Sequence, residues 1–316
     1  MLKKIYRFAG LVIGLVAIIA FMGYTFKTLT IADISQHLTA PVLGSIAIAA
    51  LLYATIIPVS AWAWKRMLTD IGYVHSWSEL SMIMGITQIA KYLPGNVGQH
   101  IGRAAMSMKR GITLRPFFIT VFSETLLALH AALAVGTVGA FFSQTGLANF
   151  SAAHQTVFIP TLIGLLVLAL LLYRPLAPRL LKWLAPAIST SSFERMLPRL
   201  PTLLQAFGAY SLNYIMVGAG IFVMVTVLLP QMKHDFALLL ASFALAWIAG
   251  FFTPGAPAGL GVREVIMLGM LSTSYPGSSA LLVIVCFRLV TILGDSICFL
   301  FAYLMLIFSR RPAHSS

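Results

Sequence analysis

Two short motifs in this sequence could bind a phosphate group. Pro94-Gly95 is followed by Arg103, and Pro254-Gly255 by Arg263, nine residues after the proline in each case, so the motifs are offset by 160 residues. A guanidinium group can hold two phosphate oxygens at once, which an ammonium group cannot do. The backbone N–H groups that begin a helix also favour anions. We therefore predict an anion site to which both arginines and the glycines of both motifs contribute.

Four more polar residues lie close to these motifs and are candidate contacts to the same ligand: Asn96, Gln99, His100 and Glu264. The amide and imidazole groups of the first three could hydrogen-bond the hydroxyl groups of a sugar or glycerol. The alternative is that they satisfy freed backbone groups or face water. The arginines have alternatives too, since Arg103 could extend to the membrane interface and Arg263 could pair with the neighbouring glutamate.

Three further charged residues fall inside apolar segments: Glu124, Arg288 and Asp295. A charge at the centre of a membrane costs about 2.5–3.5 kcal/mol on insertion scales, so such residues are rare unless they are paired or used. We predict internal ion pairs, for example Glu124 with Arg288 or Arg263 with Asp295. A purely structural role, in which the pairs only hold helices together, is the alternative.

The composition indicates that membrane helices position these residues. Of the 316 residues, 59% are hydrophobic and only 9% are charged, against about 25% charged in soluble domains. This excludes a soluble enzyme, a disordered chain and a coiled coil, and the unbroken apolar runs exclude a membrane β-barrel. The net charge of +13 is typical of basic cytoplasmic loops rather than of a nucleic-acid binder. Cys286 and Cys298 show no metal-ligand spacing, so we expect no metal and no cofactor.

The apolar runs predict an all-α polytopic membrane protein with six full spans and two re-entrant hairpins. A bilayer core needs about 20 apolar residues per helix. The runs that meet this length are 8–26, 41–64, 116–142, 155–173, 203–229 and 278–308. Segments 79–113 and 236–273 instead break at their Pro-Gly motifs, so each half is too short to span. Because such breaks are tolerated where the backbone is buried in protein or lines a wet cavity, we predict that each segment is a hairpin of two half-helices.

The basic residues predict how these segments are oriented. With the N-terminus in the cytoplasm and each hairpin returning to its starting side, fifteen of the 21 Lys and Arg are cytoplasmic, and only Lys27 and Lys233 lie outside. Both termini are then cytoplasmic, and the hairpins enter from opposite faces of the membrane. Together with the 160-residue offset, this predicts an inverted-topology repeat with a substrate site near the midplane. The alternative is ordinary helix ends whose spacing agrees by chance.

We therefore predict a single integral membrane domain over residues 1–311, followed by a short tail, 312–316. Its parts are an N-terminal span in 1–40, repeat 1 in 41–143 with hairpin 79–113, a linking span and basic cytoplasmic segment in 155–202, and repeat 2 in 203–308 with hairpin 236–273. The basic segment could gather anionic lipid, although a plain basic loop is an equal alternative.

The same motifs resemble those of a known family. The run Lys91-Tyr92-Leu93-Pro94-Gly95-Asn96-Val97-Gly98 with Arg103, followed by Ser123-Glu124-Thr125, resembles the first signature of the lysylphosphatidylglycerol synthase transmembrane-region family. The run from Pro254-Gly255 to Gly259-Leu260-Gly261-Val262-Arg263-Glu264 resembles the second, more specific signature, and Phe287-Arg288-Leu289 resembles its closing arginine. Ala258 stands where the family usually has glycine, which is a small change because alanine is also compact. The resemblance covers about residues 10–308.

This resemblance implies lipid translocation. It does not imply aminoacyl transfer, because we expect the soluble synthase domain to be absent: only five residues follow Arg311. The chain also has no Walker A motif, no GxSxG elbow and no HExxH sequence, so we do not expect an enzyme. Transport would then be passive, coupled to an ion gradient or driven by a partner.

The leading hypothesis is a flippase of the cytoplasmic (inner) membrane that moves a phosphate-bearing lipid between leaflets. The lipid would be a modified phospholipid or a polyprenyl-phosphate-linked sugar, bound between the two hairpins. A second hypothesis is a non-transporting membrane subunit that presents lipid to a glycosyltransferase or another lipid-modifying enzyme. A third is an integral-membrane enzyme acting on lipid phosphates, which would use Glu124 or Glu264.

Overall fold

Helices form all of the regular secondary structure in the part of the chain that the structure describes. The computed structural model describes residues 35–92, 98–144, 197–253 and 259–309, with single positions between 19 and 28 and between 173 and 179. These residues form nine bounded α-helices and one 3-10 helix, Ile89–Tyr92. In chain order the α-helices are α1 (Ala40–Ala54), α2 (Ile56–Asp70), α3 (Trp77–Gln88), α4 (Gly98–Met108), α5 (Leu114–Phe142), α6 (Leu200–Leu228), α7 (Phe236–Phe251), α8 (Val262–Leu271) and α9 (Gly277–Ser309).

Several predicted elements lie outside the described residues. They are the span 8–26, nearly all of the span 155–173, most of the basic segment before α6, and both Pro-Gly breaks with Gly95, Asn96 and Gly255. The helices on either side of each break are described. The predicted hairpins can therefore be compared through their arms.

Four helical stretches among the described residues are long and apolar enough to cross a membrane. They are Ala40–Asp70, in which α1 continues into α2, Leu114–Phe142, Leu200–Leu228 and Gly277–Phe308. These ranges agree with four of the predicted spans. The prediction of a helical membrane protein is confirmed.

The helices that flank the two breaks are much shorter. Hairpin 1 comprises α3, the 3-10 helix and α4, and hairpin 2 comprises α7 and α8. Their α-helices contain 10 to 16 residues, or about 15–24 Å at 1.5 Å per residue. Each is shorter than the hydrocarbon core of a bilayer, which is about 30 Å thick.

Proline and glycine allow α1 and α9 to pack closely. Pro58 has no N–H group, so the carbonyl of Ala54 loses its helical donor, and the thiol of Cys298 on α9 donates to this oxygen at 3.4 Å. Gly294 on α9 faces the ring of Tyr53, where any Cβ would overlap it. Small residues at such contacts let membrane helices approach each other, because packing rather than hydrophobic burial drives their association.

The two halves of the described chain exchange equivalent contacts. The first arm of hairpin 1, α3, packs against α9, and the first arm of hairpin 2, α7, packs against α5. Helices α1 and α6, which begin the two halves, pack against each other. Glycine lies at both exchanged interfaces: Gly85 contacts the backbone of Cys298, and Gly139 contacts that of Ala237. Each hairpin is therefore held by the last long helix of the other half.

Candidate functional site: a charged cavity between the hairpins

A cavity of about 290 Å³ lies at the centre of the described helices. Each of the nine α-helices contributes at least one residue to its wall. The wall contains six charged side chains: Lys91, Arg103, Glu124, Arg263, Glu264 and Arg288. The predicted contacts Gln99 and His100 also line it. Every predicted site residue on the described hairpin arms therefore reaches this cavity.

Arg103 of hairpin 1 is held in a two-pronged ion pair. Its Nη1 and Nη2 donate to the two carboxylate oxygens of Glu124 on α5, at 3.0 and 2.7 Å. The guanidinium also lies over the ring of Trp64, with Cζ 3.8 Å from the ring centroid. Trp64 is fully buried and donates to Thr120 at 2.9 Å. This site neutralises Arg103 inside the protein.

One example pairing and one alternative from the sequence analysis are wrong here. Glu124 was predicted to bond Arg288, but its partner is Arg103. The side chain of Arg103 is buried, so it does not extend to the membrane interface. In each case the reason is that α4 packs against α5 and brings the arginine to the glutamate.

Arg288 on α9 pairs with Glu264 on α8. Glu264 is buried and lies in the first turn of its helix, where its Oε2 accepts the N–H of Gly261 at 2.6 Å. Gly261 has a φ of +86°, which glycine adopts without steric cost. The same carboxylate therefore caps the start of α8 and ties α8 to α9.

Asp295 on α9 is the anchor for the end of hairpin 1. Lys91 donates to its Oδ1 at 2.7 Å, Tyr92 to its Oδ2 at 2.5 Å, and Gln88 to its Oδ1 at 3.3 Å. Lys91 also donates to the hydroxyl of Tyr53 at 3.1 Å. Asp295 is buried. The predicted pair of Asp295 with Arg263 is wrong, because hairpin 1 packs against α9 and brings Lys91 to the carboxylate.

Arg263 has no carboxylate partner among the residues that the structure describes. Among the described residues that line the cavity, it is the one Lys or Arg without an ion pair, and its buried Nε has no hydrogen-bond acceptor. Its nearest cation–π contact is a distant one, with Cζ 6.0 Å from the ring centroid of Trp247. Each of the three ion pairs is neutral. The charged side chains described in and beside the cavity therefore leave one net positive charge, which is on Arg263.

The backbone of hairpin 2 is shaped around the stem of Arg263. A Cβ on Gly250 would lie 2.6 Å from its Cγ, and a Cβ on Gly259 would lie 2.6 Å from its Nε. Gly259 also has a φ of +70°, a conformation that side-chain-bearing residues rarely adopt. Two glycines therefore provide the space through which this arginine reaches the cavity.

The difference between the two arginines traces to one position. Glu124 lies 21 residues after Arg103, and the residue 21 positions after Arg263 is Ile284. Ile284 is buried on α9 and lines the cavity. An aliphatic residue thus stands 160 positions after the carboxylate that pairs with Arg103, and it offers no charge to Arg263.

Helix α6 adds neutral polar groups that sequence reasoning missed. Tyr210, Asn213, Tyr214 and Val217 line the cavity, at spacings that place them on one helix face. The Nδ2 of Asn213 donates to Ser60 at 2.9 Å. Its Oδ1 and the hydroxyl of Tyr210 are buried without a hydrogen-bond partner among the described residues. A lone asparagine in the middle of an apolar span was the available signal.

The sequence of the chain also matches a known protein family. The sequence model described as the lysylphosphatidylglycerol synthase TM region matches residues 8–298. The chain belongs to this family. No curated protein sequence matches the chain significantly. The matched range includes both hairpins and all three cavity ion pairs, from Lys91 to Asp295. The protein is therefore an integral membrane domain of a lipid-related family.

Proposed function

We propose that this member of the lysylphosphatidylglycerol synthase TM family is a flippase that moves a phosphate-bearing lipid between membrane leaflets. The observation that carries the proposal is Arg263, which has no partner carboxylate among the described residues. This arginine is partly buried, its Nε is buried without a hydrogen-bond partner, and it lines a cavity reached by both hairpins. An uncompensated charge away from water is costly. A phosphate group that enters the cavity would offset this cost, since guanidinium and phosphate match in charge and geometry.

The proposed architecture has six spans and two re-entrant hairpins in an inverted repeat. The exchanged contacts of α3 with α9 and of α7 with α5 support it, because a two-fold axis between the halves would produce this pattern. The short arms of both hairpins support it as well. The predicted excess of Lys and Arg on one side supports a cytoplasmic location of both termini, in the cytoplasmic (inner) membrane.

In the proposed mechanism the headgroup enters the cavity and the acyl chains stay in the bilayer. The cavity volume of about 290 Å³ lies at the small end of the range of ligand pockets, about 300–1,000 Å³, so it suits a headgroup and not a whole lipid. Movement of one hairpin against its flanking helices would then expose the headgroup to the other leaflet. No bond is made or broken in this cycle, so the protein is not an enzyme in this proposal.

Lipid flipping by the purified full chain in liposomes tests the proposal. Phosphatidylglycerol with a fluorescent acyl chain is bleached from outside, and the rate at which the inner-leaflet fraction becomes accessible is measured. We expect Arg263→Gln to lower this rate at least tenfold. Arg115→Gln is the matched control, because it makes the same change at an exposed position of α5. Equal rates for wild type and Arg263→Gln would refute the role of Arg263, and no flipping of any phosphate-bearing lipid by wild type would refute the function.

A second function is favoured by the number of internal ion pairs. Three pairs tie the hairpins to α5 and α9, an arrangement that also suits a fixed site presenting lipid to a glycosyltransferase or another lipid-modifying enzyme. Wild-type protein that binds the fluorescent lipid stoichiometrically without flipping it, and that purifies with such an enzyme, would support this function over transport.

A further inference from the structure

Building on the proposed function, we infer that the lipid carries one phosphodiester charge and that the rest of its headgroup is uncharged and hydroxylated, as in a sugar, an inositol or a glycerol. The inference separates this class from headgroups that carry an amine. It rests on the charge balance of the cavity and on the neutral polar groups that line the same cavity as Arg263.

The charge balance excludes a cationic headgroup. Each carboxylate in the described cavity wall is already bonded to a cation, Glu124 to Arg103 and Glu264 to Arg288. Asp295 beside the wall is bonded to Lys91. An amine on the headgroup would meet no free carboxylate there, and it would be repelled by the unpaired guanidinium of Arg263.

The same balance limits the anionic charge of the lipid. One guanidinium in the described cavity lacks a partner, and one phosphodiester carries one negative charge. A diphosphate would bring at least one more negative charge, which could only be compensated by breaking one of the three ion pairs. Breaking a buried pair leaves an uncompensated charge, so it is strongly unfavourable.

Neutral groups in the wall fit hydroxyls. The Oδ1 of Asn213, the hydroxyl of Tyr210 and the Nδ1 of His100 are buried without partners among the described residues, and all three residues line the cavity. Hydroxyl groups both donate and accept, so several of them can satisfy such a mixed set. Desolvated polar groups of this kind discriminate strongly against ligands that cannot bond to them.

Aromatic rings form another part of the wall. Trp247 lies edge-to-face against Tyr214, with ring centroids 5.7 Å apart, and stacks on Phe251 at 5.5 Å. All three residues line the cavity. The C–H face of a sugar or inositol ring can pack on such rings while its hydroxyl groups bond elsewhere. A wall with one unpaired cation, neutral polar groups and aromatic rings therefore suits a phosphate-linked polyol.

The test compares lipids that differ only in the headgroup. Liposomes containing wild-type protein are assayed with fluorescent phosphatidylinositol, phosphatidylglycerol and phosphatidylethanolamine that carry the same acyl chains. We expect the first two to flip at least tenfold faster than phosphatidylethanolamine, whose headgroup carries an amine. Flipping of phosphatidylethanolamine at an equal or higher rate would overturn this inference and leave the flippase function supported. Flipping of none of the three would count against the flippase function itself.

A charge-swap variant tests the physical cause. Ile284→Glu places a carboxylate at the position that corresponds to Glu124, so we expect it to pair with Arg263, lower phosphatidylglycerol flipping at least tenfold and reduce the preference over phosphatidylethanolamine. The control is Ile284→Gln, whose new side chain is nearly equal in size to glutamate but uncharged. It should retain most of the preference for phosphatidylglycerol over phosphatidylethanolamine. An unchanged preference in folded Ile284→Glu protein would contradict the inference. If this variant does not fold, Asn213→Leu is tested in its place. We expect Asn213→Leu to lower the flipping rate of phosphatidylinositol more than that of phosphatidylethanolamine. An equal loss of rate for both lipids would contradict the inference.

Discussion

The two hairpins carry the same Pro-Gly and arginine spacing but use the arginine differently. Arg103 in hairpin 1 is bonded to Glu124 and lies on Trp64. Arg263 in hairpin 2 has no such partner among the described residues, and its guanidinium lies farther from the nearest tryptophan ring. The comparison shows that a repeated motif can hold the fold together in one copy and leave the same group available for a ligand in the other.

The ends of the hairpins also differ. The first arm of hairpin 1 ends in Lys91 and Tyr92, which are both bonded to Asp295. The residues 160 positions later in hairpin 2 are Phe251 and Phe252, which are 38% and 66% exposed. The first arm of hairpin 1 is therefore anchored at its end by charge, whereas the end of the first arm of hairpin 2 presents aromatic rings. In the proposed transport cycle, this contrast favours hairpin 2 as the element that moves.

The largest expected effect separates the two arginines by stability. Arg103→Gln leaves the partly buried Glu124 without its cation, so we expect it to lower the free energy of unfolding by about 3–5 kcal/mol. Arg263→Gln removes a charge that has no partner, so it should leave stability unchanged or raise it. Thermal unfolding of both purified variants in detergent measures this difference. Equal losses of stability in the two variants would remove the distinction between the hairpins.

A smaller effect is expected at the anchor of hairpin 1. Lys91→Met removes the cation from Asp295, but Tyr92 and Gln88 still donate to that carboxylate. We therefore expect a loss of about 1–3 kcal/mol in the free energy of unfolding. The double variant Lys91→Met with Asp295→Asn should recover part of this loss, because the buried negative charge is then also removed. Thermal unfolding of Lys91→Met, Asp295→Asn and the double variant measures this recovery. If the loss in the double variant equals the sum of the losses in the two single variants, the pair does not anchor the hairpin.

The smallest expected change in stability tests the space around Arg263. Gly250→Ala places a Cβ against the Arg263 stem, and because that stem is flexible we expect a loss of only about 1 kcal/mol, at the low end for overpacking. Flipping should fall about tenfold, since the guanidinium is displaced. Gly208→Ala on α6 is the control, because a Cβ there meets no atom within 4 Å. A Gly250→Ala protein that flips lipid as fast as this control would contradict the proposed position of Arg263.

Local composition was enough to predict the class of the protein and most of the described elements. A run of about 20 apolar residues must be a membrane helix whatever surrounds it, so the spans at 41–64, 116–142, 203–229 and 278–308 were predicted from sequence and match the described helices. The short arms beside the Pro-Gly motifs were predicted from the same length requirement, because each half-segment has too few apolar residues to span a bilayer core. The family was also identified from sequence motifs alone.

The partners of the charges were decided by tertiary structure. Lys91 and Asp295 are 204 positions apart, and no local pattern indicates that they meet. Glu124 was assigned to Arg288 instead of Arg103, and Asp295 to Arg263 instead of Lys91. An ion pair depends on which faces of two packed helices meet, whereas apolar length depends only on the helix itself. The unpaired state of Arg263 is therefore a property of the packed helices, in which Ile284 occupies the position that a carboxylate holds in the first half.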